Sequence, residues 1–236
     1  MLSFLVALFL AWHLLARADF FYATWYEVLD IDQTVATYGP RNRYRHGFAN
    51  TDKREHQRLF AAIVTAIHDD GAGLEELQYF DTDSGVSSSF LTEAEIVHLR
   101  DVAMLINKVN AAGAAAVVVV LVLVAVIVVR RLPSPSLMRS HVGAAAVLAA
   151  AAALALNLGT EDVFYAMHEW VFPPDHQWFF YYQDSLMSTF MQAPNLFGYI
   201  ALALAALAVT LYTAWIAGLI YFLRRTDRDP RGERRG

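Results

Sequence analysis

Residues 111–129 read AAGAAAVVVVLVLVAVIVV, nineteen consecutive positions without a charge or a strong hydrogen-bonding side chain. A run of that length meets the requirement for a helix that crosses the hydrocarbon core of a bilayer, and it rules out a soluble globular chain. Three further apolar runs accompany it, at 2–16, 142–158 and roughly 196–223, while residues 23–107 are largely polar. The 57% hydrophobic content of this 236-residue chain is therefore blocked, not spread as a soluble core spreads it. Cysteine is absent, which removes disulfides, thiol nucleophiles and cysteine-based metal sites at once.

The expected fold class is an all-α integral membrane protein: four transmembrane helices, a helical extracytoplasmic domain and a short aromatic-rich interfacial loop. The spans fall at 1–22, 108–130, 140–159 and 195–223, the first drawing on Phe20 to Tyr22 for length. Between them lie the extracytoplasmic domain 23–107, a cytoplasmic loop 131–139, an outward loop 160–194 and a cytoplasmic tail 224–236. Orientation follows from charge. Arg130, Arg131 and Arg139 bracket the middle loop, and Arg224, Arg225, Arg228, Arg231, Arg234 and Arg235 follow the last span, which marks both regions as cytoplasmic. Nine basic and three acidic residues then lie inside, against nine basic and twenty acidic outside, consistent with both termini in the cytoplasm. Ala16-Arg17-Ala18 has the form of a signal-peptide cleavage site, but no basic residue precedes the apolar run, and a retained helix is the reading adopted. Phe20, Phe21, Tyr22, Trp25 and Tyr26 are expected to form an outer-interface belt.

In the first outward segment an irregular stretch runs to about Asn50 and carries Arg41, Arg43 and Arg45. A helix over 52–69 presents Leu59, Ile63, Val64 and Ile67 on one face and stops at Asp69-Asp70-Gly71. A short helical piece near 74–80 and a turn-rich stretch, 81–89, come next. Thr92-Glu93-Ala94-Glu95 is a capping box that starts a helix with an apolar stripe of Ile96, Leu99, Val102, Ile106 and Val109. On another face Glu95, His98 and Asp101 fall three apart. The second outward segment packs nine aromatics into nineteen residues, Phe164 to Tyr182. Thr160 caps a short helix ended by Pro173-Pro174, with Phe164, His168 and Phe172 on one face, and Asp184 caps another that runs to about Gln192.

Eight histidines are the main candidates for chemistry, because imidazole titrates near neutral pH. His98 and His168 stand apart, each with a nearby carboxylate and an apolar helical face; Asp101 is placed to fix the tautomer of His98. By pattern alone, an interfacial histidine serving stability is the simpler account of each. His13 lies in the first span but near its outer end; His46, His56 and His68 sit on solvated segments; His141 is on the cytoplasmic side; His176, in a Pro-Asp-His-Gln turn, is evenly balanced between a functional and an incidental reading. His98, Asp101, His168 and Asp184 would make a two-histidine metal site, but no His-Glu-x-x-His or comparable ligand pair is present. Ser185 and Ser188 lack a nucleophile elbow, and no glycine-rich phosphate loop exists, so neither metal nor cofactor is expected. An acidic outward face and a basic tail explained by topology argue against nucleic acid as a partner. A non-enzymatic membrane protein that binds a lipid, a lipoprotein or a partner subunit, and a metal-dependent membrane hydrolase, remain the competing classes.

The segment Glu95-Ile96-Val97-His98-Leu99-Arg100-Asp101-Val102, directly before the second span, resembles the E-x-x-H-[ML]-x-D-V signature of the lipoprotein intramolecular transacylase family. Phe164-x-x-x-His168-x-x-x-Phe172, then Trp178, Asp184-Ser185-Leu186-Met187 and Pro194-x-x-Phe197, is similar to that family's second series of motifs. Leu99 replaces the common methionine, a Phe-Phe-Tyr-Tyr run separates Trp178 from Asp184, and residues 27–90 match weakly. The resemblance implies a membrane acyltransferase at the outer leaflet of the bacterial cytoplasmic membrane. It would act on a diacylglyceryl lipoprotein, moving an acyl chain from the glyceryl sn-2 oxygen to the amine of the N-terminal cysteine and leaving a lyso-form lipoprotein. His168, His98 and Asp101 would then be catalytic. Glu95, Phe164, Phe172, Trp178, Asp184, Arg41 and Arg43 would contact the substrate or membrane lipids. If His98 works on lipid, the segment 92–108 is expected to bend or lie along the outer leaflet, with Asn107 to Asn110 as the joint.

Overall fold

The computed structural model describes residues 2–132, 136, 141–146, 149 and 159–227. Most of the third expected span, 140–159, most of the loop 131–139 with Arg139, and the tail from Arg228 onward lie outside the described residues. Among those described, two helices are long and apolar enough to cross a membrane, and a bent pair makes a third candidate. The first, α5, is Glu93–Val129, and the other is α8, Asn195–Asp227. The bent pair begins with α1, Leu2–Ala16, and turns by 81° into the segment Asp19–Val28. Phe20 to Tyr22 therefore do not lengthen the first span as expected. Asp19, Phe20 and Phe21 all have φ between 45° and 59°, the left-handed region that ends a right-handed helix. The indole of Trp25 donates to the Phe20 carbonyl at 2.9 Å inside that turn.

The chain forms two compact units. One takes in the described residues of Met1–Leu14, Asn110–Asn157 and Ala203–Gly236. Its core joins Phe4, Ala7, Ala11, Ala144, Ala208, Tyr212, Ile216 and Ile220. Small residues at such contacts let helix backbones approach, and the Phe4 ring meets that of Tyr212 edge-on at 5.5 Å. Gly113 serves the same end: a Cβ there would lie 2.2 Å from Phe9 Cδ2.

The other unit comprises Leu15–Val109 and Leu158–Leu202. Its first part is more ordered than expected, since α2 (Tyr22–Val28) and α3 (Ile31–Tyr38) occupy the stretch read as irregular. Helix α4, Lys53–Ile67, starts where the Asp52 carboxylate accepts from the Glu55 amide at 2.9 Å, and it buries Leu59, Phe60, Ile63 and Val64. Beyond a single 3₁₀ turn at Leu74–Glu76, the stretch expected to be helical and then turn-rich is an antiparallel hairpin. Strand β1, Gln78–Asp81, pairs with β2, Val86–Ser89. Alternation explains it: Tyr79 is buried and Phe80 exposed, and Gly85 supplies the positive φ, 70°, that closes the turn. Among the described residues this hairpin is the one β element in a chain that is otherwise mostly helical, as an all-α membrane protein is expected to be.

Helix α5 is continuous through Asn107–Asn110, so the expected joint is absent. No proline stands there, alanines follow, and the Asn107 amide donates sideways to the Asp70 carboxylate. Helix α6, Thr160–Val171, has Gly159 at its cap position, not Thr160, and ends before Pro173 as expected. Helix α7, Leu186–Met191, is capped by Ser185, not Asp184, with the Ser188 amide donating to Ser185 Oγ at 2.8 Å. The expected aromatic belt is also revised. Phe20, Tyr22 and Tyr26 are core residues, Tyr22 stacking on Phe60 at 4.1 Å and donating its hydroxyl proton to the Phe190 carbonyl at 2.9 Å.

Candidate active site

The capping box forms as the sequence implies: the Thr92 amide donates to Glu95 Oε2 at 2.6 Å, and the Glu95 amide to Thr92 Oγ1 at 3.4 Å. From that start the helical period sets Glu95, His98 and Asp101 along one side of α5, and all three are buried. Helix α6 brings in His168 with Phe164 one turn before it, and Phe172 follows as the chain leaves the helix. The two histidines, 70 positions apart in sequence, lie with ring centroids 5.9 Å apart. They are 8% and 7% exposed. Aromatic rings enclose them: Phe164 at 4.0 Å and Trp178 at 5.0 Å from His168, Phe172 at 4.9 Å and Phe180 at 6.0 Å from His98.

Hydrogen bonding fixes the proton on one ring. His168 Nδ1 lies 2.7 Å from the Phe164 carbonyl, which only accepts, so Nδ1 carries the hydrogen and Nε2 keeps its lone pair. His98 Nδ1 is buried with no hydrogen-bond partner among the described residues. Burial favours the neutral form of both rings. Desolvation pushes His98 down to about 4, helped by the neighbouring His168 and opposed by Asp101. His168 is also lowered, chiefly by burial and against the pull of its bond to Phe164.

The carboxylates are used differently from the expectation that Asp101 orients His98. Asp101 Oδ2 instead takes His176 Nδ1 at 2.6 Å, because the turn that follows Pro173-Pro174 lays His176 against α5. Glu95 accepts from the Ser185 hydroxyl as well as from Thr92, tying α5 to the cap of α7. Its burial raises its pKa, and those hydrogen bonds work to lower it. Asp184 and Arg43 form an ion pair, Oδ1 to Nε at 3.4 Å, beside a bond from the Arg43 amide to the Gln183 carbonyl at 2.8 Å. Arg41 lies over the Tyr38 ring at 5.9 Å. Among the described residues no group of three or more His, Asp or Glu side chains is arranged to hold a metal ion.

Two histidines carry roles that the sequence hides. His176 is one. The other is His56, expected on a solvated surface yet 2% exposed. Thr51 Oγ1 donates its single proton to the Phe48 carbonyl at 2.6 Å, so toward His56 Nε2, at 2.7 Å, it accepts. Nε2 therefore carries the hydrogen, and Nδ1 accepts from the Tyr26 hydroxyl at 2.9 Å. Every polar atom of that ring is satisfied in the neutral form, and burial pushes its pKa down to about 4. An open cavity of about 380 Å³ lies beside it, lined by Tyr26, Asp32, Lys53 and His56. It is a separate place from the His98–His168 pair.

These shifts set a testable pattern in pH. A histidine whose folded pKa lies below the usual 6.5 stabilises the fold fully above that value, and the contribution drains away as pH falls toward 4. His176 runs the other way, since its bond to Asp101 raises it: its contribution is complete below about 6.5 and fades as pH climbs through the raised value. In a ring-resolved NMR titration of the detergent-solubilised protein, His98 should stay neutral down to about pH 5, while His176 is protonated at pH 6.5. A His98 midpoint at or above 6.5 would contradict the buried pair.

No curated protein and no solved structure matches the chain. The family model for lipoprotein intramolecular transacylase, Lit, matches residues 1–193, a span that contains the first motif series, the second as far as Met187, and the two converging histidines. The chain belongs to the lipoprotein intramolecular transacylase family.

Proposed function

We propose that the protein carries an acyl chain from the glyceryl sn-2 ester of a diacylglyceryl lipoprotein to the α-amine of its N-terminal cysteine, at the outer leaflet of the bacterial cytoplasmic membrane. The observation that carries this reading is the His98–His168 pair at 5.9 Å, with the His168 proton held at Nδ1 and its Nε2 left basic. The amine and the ester belong to one substrate molecule, so the protein need only hold them together and manage one proton. His168 Nε2 takes the proton as the amine nitrogen bonds to the ester carbonyl carbon. His98 stabilises the negative oxygen of the tetrahedral intermediate; its unpartnered Nδ1 supports that role. Collapse breaks the bond to the glyceryl oxygen, which receives the proton back from His168. No acyl-enzyme is needed, in keeping with a chain that has no cysteine.

In this reading Asp101 and Glu95 act at one remove, through His176 and Ser185, and Phe164, Phe172 and Trp178 give the acyl chain an apolar surround. Arg43 and Asp184 shape the segment before α7, and Arg41 faces headgroups. The membrane arrangement proposed has four spans and both termini inside, with 23–107 and 160–194 outward, as the charge distribution favours. The test is direct. Purified protein in lipid nanodiscs is given a synthetic diacylglyceryl-cysteinyl lipopeptide and the product is read by tandem mass spectrometry. The parent mass stays constant, because the acyl chain remains in the molecule, while fragments carrying the amine gain the acyl group. An unchanged fragment pattern would rule the activity out.

A further inference from the structure

His168 Nε2 does not distinguish nucleophiles by itself. A base that takes a proton from an amine takes one equally from water, and an ester next to an activated water is hydrolysed. What keeps water from the pair is the aromatic enclosure, and its parts are not equally secured. Phe164 is held within helix α6, and Phe172 directly follows it. Trp178 and Phe180 come from the segment 177–180, which has no regular secondary structure. Among the described residues, one hydrogen bond ties the stretch 173–180 to a helix: His176 Nδ1 to Asp101 Oδ2 at 2.6 Å. The other bonds there are internal, His176 amide to Pro173 carbonyl at 3.1 Å and Gln177 Nε2 to Phe179 carbonyl at 3.0 Å.

Asp101 is three residues beyond His98 on the same side of α5, so the bond is made one helical turn from the reacting pair. Trp178 follows His176 by two residues and meets His168; Phe180 follows by four and meets His98. The Asp101 carboxylate is 6% exposed, and a carboxylate that deep needs a donor; His176 supplies it. Building on the acyl-transfer reading, we infer that His176, through Asp101, is a positioning residue that selects amine over water by holding Trp178 and Phe180 against the histidine pair.

Released from this bond, the segment admits water. Its oxygen bonds to the ester carbonyl carbon as one proton passes to His168 Nε2. The bond to the glyceryl oxygen then breaks, that oxygen takes the proton, and the acyl chain leaves as free fatty acid. The lipopeptide is left with its amine unmodified. Transfer and hydrolysis thus give different products from one substrate.

The nanodisc assay is run in ¹⁸O-labelled water, scoring labelled free fatty acid against N-acylated lipopeptide. In His176→Ala the ratio of acid to N-acyl product should rise at least about tenfold over wild type, the scale expected when a hydrogen bond to a charged group is lost. His176→Asn, whose amide N–H can reach the same carboxylate, should restore a ratio near wild type. A contribution to folding alone would lower the total rate or the unfolding temperature in both variants without moving the ratio. If His176→Ala does not fold, Asp101→Asn, which keeps the shape and removes the charge, is read for the same rise. An unchanged ratio in a folded, active variant overturns the positioning role and leaves the acyl-transfer reading intact. Wild-type protein that forms no N-acyl product overturns both.

Discussion

Asparagine in place of His168 should slow N-acylation of the lipopeptide by about 10²–10⁴-fold, the contribution of a well-placed general base. Asparagine keeps a polar side chain of modest size and can still donate to the Phe164 carbonyl, so the helix and the aromatic enclosure are retained while the basic Nε2 is removed. The deficit should fall on kcat, because proton transfer belongs to the transition state and not to substrate binding. Two measurements frame it: initial rates by tandem mass spectrometry, and an unfolding temperature unchanged within a few degrees. A variant that is folded and converts substrate at the wild-type rate would remove His168 from the mechanism.

Truncation of Phe190 to alanine should be the most damaging change to the fold of the second unit, at about 3–5 kcal/mol. The ring is fully buried. Its centroid is 5.4 Å from Phe90, 5.7 Å from Tyr22 and 6.4 Å from Phe48, Phe60 and the satisfied ring of His56. Removing it takes one contact from five rings at once, and two of them cannot readily collapse into the gap, since Tyr22 is held by its bond to the Phe190 carbonyl and His56 by Tyr26 and Thr51. Thermal unfolding in detergent should move down by several degrees for each kcal/mol. Leucine, which refills most of the volume, should recover part of the loss. A shift below about 1 kcal/mol for alanine would mean that these rings do not act as one core.

What could be read from the sequence is what neighbours in sequence determine. The apolar block at 111–129, the Thr92–Glu95 cap, the α4 stripe and the Phe164–His168–Phe172 spacing are all local, and each is found in place. The family series added what spacing lacked, the expectation that His98 and His168 act together. The missed features join distant positions. Asp101 reaches 75 residues to His176, Glu95 reaches 90 to Ser185, and Gln192 reaches 163 to the Leu29 carbonyl. A carboxylate three residues from a histidine on one helix looks like its partner until a loop from elsewhere supplies another donor. The hidden burial of His56 has the same cause, since its polar neighbours in sequence say nothing of Tyr26 or Phe190. The hairpin at 78–89 was obscured by shortness, four residues to a strand.

The aromatic core of this unit is assembled from two pieces of chain, Leu15–Val109 and Leu158–Leu202, and Phe190 arrives in the second. Synthesis delivers Phe90 one hundred residues before its partner ring, an interval of roughly 5–20 s at ordinary elongation rates. During that interval Tyr22, Phe48, Phe60 and Phe90 lack the ring that joins them in the finished fold. Apolar surface left uncovered for that long is prone to aggregation, and the arrival of α7 is what covers it.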